Sequence, residues 1–430
     1  MNVLMLIDMI VFFLSMLLYF YFNFPNLILA TILILSIYRL SQTKKKYQKL
    51  FLLTMMIFII ASLLLKNYTL LMGTAMLIGF ISLCLNLDYL AIMKHKPFLT
   101  RKKLKKFLFT TILILITLFH LLFAFIVFNP NILTSRAGLF FNEKYPPKTA
   151  LKTRVEKINN HETHYYNLEY PSIFKNNTLD IYTCTNSKGT IFYIHGGGYV
   201  AGDKWNRREY LFRYVKDGYN VVNINYQLFP AAHYPDNLKQ ADDALYYIIK
   251  NASKYGIDSN KIILSGDSAG GQLAGQLALV LTNKVYSKQI GYNPKTQMTP
   301  KAFIGVSAWS DIQLGLRMNS PILEWFTDKV ARSYFQVIDV KKSKKVAEAS
   351  LVSNVNKNFP ASFISDGNTG SFTTANLALV KRLKQLNVPV QGQFYDKKKV
   401  VLRHIFELNT QNNYAQEIYY KQLSFLDKIS

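Results

Sequence analysis

The stretch KIILSGDSAGGQLAGQLALV, residues 261–280, changes character in its middle. Ile262–Leu264 is a short aliphatic, β-branched run of the kind that forms a buried strand. From Gln272 onward the chain is rich in Ala, Gly and Leu, as in a helix packed closely on a sheet. Between the two stands Gly266-Asp267-Ser268-Ala269-Gly270, followed by Gly271. A serine on a tight strand-to-helix turn presents its hydroxyl at a corner, with glycines where side chains would clash. The start of the following helix favours negative charge developing there. The plain alternative is a Gly-rich helix start; the strand before and the helix after weigh against it.

Working outward, a second glycine cluster precedes this turn by about 70 residues: His195-Gly196-Gly197-Gly198-Tyr199, directly after the apolar run 190–195. Consecutive glycines let backbone N–H groups approach a tetrahedral oxyanion closely. Gly197 and Gly198 are the expected donors from this loop, with Ala269, just after the serine, as the third. One such donor is typically worth about 3 kcal/mol of barrier. His195, Gly196, Gly266, Asp267 and Gly270 are the supporting residues of the two motifs, and Asp267 reads as a structural hydrogen-bonding group.

Together these motifs resemble the hormone-sensitive-lipase-like branch of the α/β-hydrolase fold. Tyr226, Pro230, Tyr234-Pro235, Asp242 and Gly256-Ile257-Asp258 resemble that family's path between the two loops. The resemblance covers roughly residues 160–430. It implies hydrolysis of carboxylic esters, often of small acyl groups, without metal or cofactor.

A base and an acid then belong after the serine, in the order Ser, Asp or Glu, His. His404 is the sole histidine beyond Ser268, and it sits where the family's His-x-Phe segment falls. For the acid the family has an Asp a few residues past the seventh strand. Here the sequence is Ser365-Asp366-Gly367-Asn368-Thr369-Gly370-Ser371, with Thr369 or Gly370 in the expected slot. The carboxylates between Ala361 and His404 are Asp366 and Asp396. Asp366, at a strand's C-terminal end where open α/β sheets gather functional residues, is favoured; Asp396 is the alternative. Ser268 would attack an ester carbonyl while His404 takes its proton, and water would release the acyl-enzyme. An acyltransferase using the same groups, or a degenerate domain serving as a binding or assembly module, are the competing readings. The displaced acid slot favours the latter. Ser310–Val340, with Trp309, Trp325 and Phe326, is expected to line the acyl or alcohol pocket.

Around these motifs, β-type runs at 163–169, 179–184, 190–195, 220–225, 261–265, 302–306, 361–365 and 390–395 alternate with helical stretches at 206–216, 237–253, 269–284, 373–386 and 412–427. That alternation predicts an α/β class, a mostly parallel central sheet with helices on both faces.

The N-terminal third differs. Residues 1–128 hold thirteen Lys or Arg but only two acids, Asp8 and Asp88. Five apolar stretches run roughly 3–22, 27–40, 50–65, 68–93 and 107–128, most of them near the ~20 residues that cross a ~30 Å hydrocarbon core. A cleaved signal peptide fits the first poorly, with no basic residue before it and no small-residue cleavage site after it. Lys and Arg concentrate in alternate loops, Lys44-Lys45-Lys46 with Lys49 and then Lys94–Lys106. Such loops mark the cytoplasmic side. The expectation is therefore an all-α transmembrane bundle over 1–128, a linker leading into the cap over 129–160, and a hydrolase domain over 161–430. The N-terminus would be cytoplasmic and the hydrolase domain extracytoplasmic, with the bilayer as its partner. Asp8 and Asp88 lie near the ends of their stretches, which favours anchoring over conduction.

Residues 129–430 carry 38 basic and 23 acidic residues, a net charge of +15. These charges are scattered and no nucleic-acid motif accompanies them, so nucleic acid is not an expected partner. A basic surface beside a membrane suits anionic headgroups or an acidic polymer. Candidate substrates are thus a small acyl ester, a lipid or an envelope polymer; protein partners are left open. The two cysteines, Cys84 and Cys184, lie in different segments, so the fold stands without a disulfide.

Overall fold

The computed structural model describes residues 146–429, apart from Asn319 and Ile338, together with Thr134. The chain divides between Leu133 and Thr134, and every described residue belongs to the second unit. The five expected membrane spans lie outside the described residues. Among the described residues no helix is long and apolar enough to cross a membrane.

Nine strands form one sheet among the described residues: β1 (Arg154–Lys157), β2 (Glu162–Glu169), β3 (Thr178–Cys184), β4 (Thr190–Ile194), β5 (Asn220–Ile224), β6 (Ile262–Asp267), β7 (Ala302–Val306), β8 (Ala361–Ser365) and β9 (Val390–Gln393). Their spatial order is β1-β2-β3-β5-β4-β6-β7-β8-β9. The first three strands join antiparallel, as do β3 and β5; β5 through β9 run parallel. β4, β5, β6 and β7 are buried along their whole length, as strands covered on both faces must be.

The helices are α1 (Arg208–Lys216), α2 (Asp236–Lys250), α3 (Ser268–Thr282), α4 (Lys284–Gln289), α5 (Pro321–Phe335), α6 (Lys344–Ala349), α7 (Leu351–Asn354), α8 (Thr373–Gln385) and α9 (Asn413–Ile429). Side chains alternate across the sheet. Phe192, Ile194, Val222 and Leu264 meet α2, α3 and α8 in one core. Ile191, Tyr193, Val221 and Ile263 meet α1 and α9 in the other. Each fully buried aliphatic side chain of this kind contributes about 1.5–3 kcal/mol.

One expectation is corrected here. Arg154–Lys157 falls inside the stretch read as a linker, 129–160, yet it pairs with β2 as the sheet's edge. Its alternating half-buried and exposed residues, with charges at three of four positions, look like a solvated connection because an edge strand needs only one covered face.

The strand order places the site. The chain runs from β4 to β5 on one side, then crosses back to β6 on the other. Ligands of open α/β sheets bind at such a switch point, beyond the strands' C-terminal ends. Ile194 lies level with Gly266 in the β4–β6 register, so the loop after β4 and the turn after β6 leave the sheet side by side.

Candidate active site

Ser268 sits at the corner between β6 and α3 with φ 53°, in the left-handed region that a serine adopts only under constraint. The constraint is visible in the glycines around it. A Cβ at Gly266 would come within 2.6 Å of the Ile194 carbonyl oxygen, and one at Gly270 within 2.1 Å of that same atom. The turn therefore packs directly on the end of β4.

The loop after β4 is held from below. Gly196 N–H donates to Asp267 Oδ1 at 3.0 Å, and the Tyr226 hydroxyl donates to the His195 carbonyl at 2.9 Å. His195 stacks on the Tyr226 ring at 4.5 Å. Gly197 has φ 116° and a Cβ there would lie 2.1 Å from the Ala201 carbonyl oxygen, so only glycine fits. The turn that follows closes with Val200 and Ala201 N–H on the Gly197 carbonyl. A Cβ at Gly196 would lie 2.9 Å from Ser268 Cβ, so the loop that carries Gly197 and Gly198 starts against the serine corner. Ala269 lies in the first turn of α3, whose N–H groups have no intrahelical acceptor.

His404 Nε2 lies 2.9 Å from Ser268 Oγ. The ring packs edge-on against Phe372 at 4.9 Å. Burial pushes its pKa down to about 4, opposed by the charge of Asp267 and aided by that of Arg207. The ring is half-buried and water at its open edge tempers the drop, but the direction favours the neutral imidazole that can accept a proton.

The expected acid does not touch His404. Asp366 is buried at the end of β8, and its Oδ1 accepts from the Ser371 hydroxyl. Ser371 Oγ in turn lies 2.7 Å from His404 Nδ1. Asp396 is corrected as the alternative: it is exposed and accepts from the Lys398 amide in its own turn. The two loops are zipped together. Asn368 and Thr369 N–H donate to the Leu402 carbonyl, and Leu402 N–H donates back to Asn368 Oδ1 at 2.9 Å. A Cβ at Gly367 would lie 2.4 Å from the Arg403 carbonyl oxygen. The zipper sets His404 opposite Ser371.

Two further carboxylates shape the site. Asp267 is fully buried and receives Arg207 Nε and Nη2, each at 3.0 Å, and the Tyr193 hydroxyl at 2.9 Å. Burial alone would raise its pKa; Arg207's charge and these hydrogen bonds outweigh burial and hold it low. Glu407 is buried behind His404, taking hydroxyls from Ser307 and Ser365. Burial and the nearby charge of Asp366 push it up to about 8. Its folded pKa therefore exceeds that of the unfolded chain, so stability is greatest below about pH 4.5 and falls as pH rises toward 8. At pH 7 that loss is roughly 3 kcal/mol. Glu407→Gln is expected to melt higher than the parent at pH 8 and to lose that advantage at pH 4.5. Equal gaps at both pH values would contradict the assignment.

Of the residues expected to line a pocket, Trp309 lies beside the serine, buried in the core. Its amide donates to the Ser268 carbonyl at 2.9 Å, and its ring stacks on Phe372 at 5.1 Å. Trp325 and Phe326 lie half-buried on α5, which reaches the acid loop through Leu323 beside Gly370. Ser371, Glu407 and Arg207 carried no sequence signal of their own. Among the described residues no group of His, Cys, Asp or Glu is arranged to hold a metal.

The family model described as BD-FAE matches residues 179–377, which spans both glycine motifs and stops before His404. A protein of Acanthamoeba polyphaga mimivirus that bears an α/β-hydrolase name is 30% identical over 140 residues, 32% of this chain and 40% of that protein. An acetyl esterase of Salmonella paratyphi B is 38% identical over 101 residues, 23% of this chain and 31% of that enzyme. The chain thus spans well under half the length of these curated relatives. Among solved structures, esterase B from Lactobacillus rhamnosis superposes with TM-score 0.55 at 18% identity, covering 69% of this chain and 91% of that one. With the sheet order above, this places the described unit in the α/β-hydrolase fold.

Proposed function

We propose that this protein hydrolyses carboxylic esters through an acyl-enzyme on Ser268. The observation that carries the reading is the 2.9 Å contact between Ser268 Oγ and a neutral His404 Nε2 at a strained strand-to-helix corner. Ser268 Oγ attacks the carbonyl carbon as His404 accepts its proton. The amides of Gly197, Gly198 and Ala269 receive the oxyanion. His404 returns the proton to the leaving alcohol, and a water repeats the sequence to free the acid. The BD-FAE match and the acetyl-esterase relative support an ester substrate with a small acyl group. The Ser268–His404 contact also weighs against a degenerate binding module.

The proposal includes anchoring by residues 1–128 with the hydrolase domain outside the cytoplasm. The five apolar stretches and the alternating basic loops support it. Intact cells treated with a membrane-impermeant fluorophosphonate are expected to show a labelled band that Ser268→Ala abolishes. A folded parent that takes no label in lysed cells would sink the hydrolase reading. Label taken only after lysis would sink the topology alone.

A further inference from the structure

The chain Asp366–Ser371–His404–Ser268 is continuous, and each link has one direction. Ser371 carries a single hydroxyl proton and gives it to Asp366. It must then accept from His404 Nδ1, which therefore bears the ring proton. Nε2 is left as the acceptor that faces the Ser268 hydroxyl. Ser371 is nearly fully buried, so no bulk water competes for these bonds.

We propose that Ser371 is the positioning residue for His404, and that Asp366 acts on the imidazole only through it, so that protonating Asp366 reverses the chain and switches the base off. The inference rests on the ester-hydrolase reading above. With Asp366 ionised, every hydrogen bond points toward the carboxylate. When the imidazole takes a solvent proton at Nε2, its Nδ1 proton passes to Ser371 Oγ as the Ser371 proton passes to Asp366. The new Asp366 O–H then donates to Ser371 Oγ, and the Ser371 hydroxyl donates to Nδ1. The net change is the single proton now held by Asp366, with the ring left neutral and protonated at Nε2. An imidazole protonated at Nε2 cannot accept the proton of Ser268.

The surroundings make that switch reachable. Among the described residues no cation acts on Asp366. It is faced by Ser371, by Asn376 Nδ2 at 2.9 Å, by the Ser307 hydroxyl and by the Gly367 amide, and Glu407, pushed up to about 8 in part by the charge of Asp366, is neutral where Asp366 titrates. Burial outweighs those donors and raises its pKa to about 6. His404 is faced by Ser268, Ser371 and the Phe372 ring, with Asp267 and Arg207 acting through charge, and it stays neutral well below that point.

The test is kcat against pH for phenyl acetate with the full-length protein and with Asp366→Asn, Ser371→Ala and the double variant. The parent is expected to lose activity as pH falls through about 6. In Asp366→Asn the oxygen stays on Asn376 and the amide N–H points at Ser371, which fixes the reversed chain; the wrong tautomer costs up to about 10⁴-fold in kcat. Ser371→Ala removes one hydrogen bond to the ring, about 10- to 100-fold in kcat with little change in KM, and it erases the step near pH 6. The double variant is expected to match Ser371→Ala and so to exceed Asp366→Asn by at least about 10-fold, because the reversed chain needs Ser371 to act. Losses that multiply, or a Ser371→Ala enzyme that keeps the parent rate or the step near pH 6, would overturn the relay. A parent that neither labels with fluorophosphonate nor turns over ester removes the hydrolase reading and the relay together.

Discussion

His404→Ala is expected to lower kcat for ester hydrolysis by about 10⁶-fold, the scale on which a serine protease loses activity when its base is removed. No neighbouring group can take over. Asp267 is charged but saturated by Arg207, Tyr193 and the Gly196 amide. Asp366 stands behind Ser371. Ser268 would keep its strained corner, because that geometry comes from Gly266 and Gly270 packing on β4 and not from the imidazole. The variant should also fold, since the loop at 402–404 is tied by the backbone bonds of Asn368, Thr369 and Leu402. The amides proposed to receive the oxyanion, those of Gly197, Gly198 and Ala269, remain and should leave about 10³- to 10⁴-fold acceleration over water. Steady-state hydrolysis together with the rate of fluorophosphonate labelling measures both parts. A kcat within 100-fold of the parent would show that some other group deprotonates Ser268.

What the sequence discloses divides by the physics involved. The corner at Ser268 and the loop at Gly197 are legible because a backbone too close for any Cβ demands glycine, and glycine clusters stand out in a string of letters. His404 is legible through chain order alone. The strands β3 to β8 show because they are mostly buried and rich in apolar or β-branched residues; β1 does not, because its charges fit an edge as well as a linker. The acid proposed to act with His404 is half legible. Asp366 can be named from its place at a strand end. That it reaches His404 through Ser371 depends on how residues 366–371 zip to 402–404, a tertiary contact no local pattern encodes. Arg207 is hidden for the same reason: its partner Asp267 lies sixty residues away. The crossing of the chain from β5 over β4 to β6 likewise leaves no mark on composition.

Arg207→Met is expected to destabilise the domain by about 3–5 kcal/mol, because it strands a carboxylate that no water reaches. Arg207 and Asp267 are 4% and 0% exposed, and the guanidinium grips both carboxylate oxygens. In the parent the Asp267 pKa is held below its unfolded value, so this pair's contribution is complete above about pH 4 and fades as pH falls through the lower folded value. In the variant only the Tyr193 hydroxyl and the Gly196 amide oppose burial and the pKa rises, so the sign inverts: the deficit grows as pH climbs above about 4 and shrinks where Asp267 can be protonated. Urea midpoints at pH 5 and pH 8 should therefore separate further at pH 8. Adding Asp267→Asn to Arg207→Met should recover part of the loss, since a neutral amide is cheaper to bury than a lone charge. If the two substitutions instead add, with the same deficit at both pH values, the pair is not acting as an ion pair. The same variant should lose activity beyond its loss of stability. Asp267 is the anchor of the Gly196 amide, and a carboxylate released from Arg207 no longer fixes the glycine loop beside Ser268. The charge pair thus couples the two motifs on which the chemistry depends, and kcat measured well below the melting temperature separates that effect from unfolding.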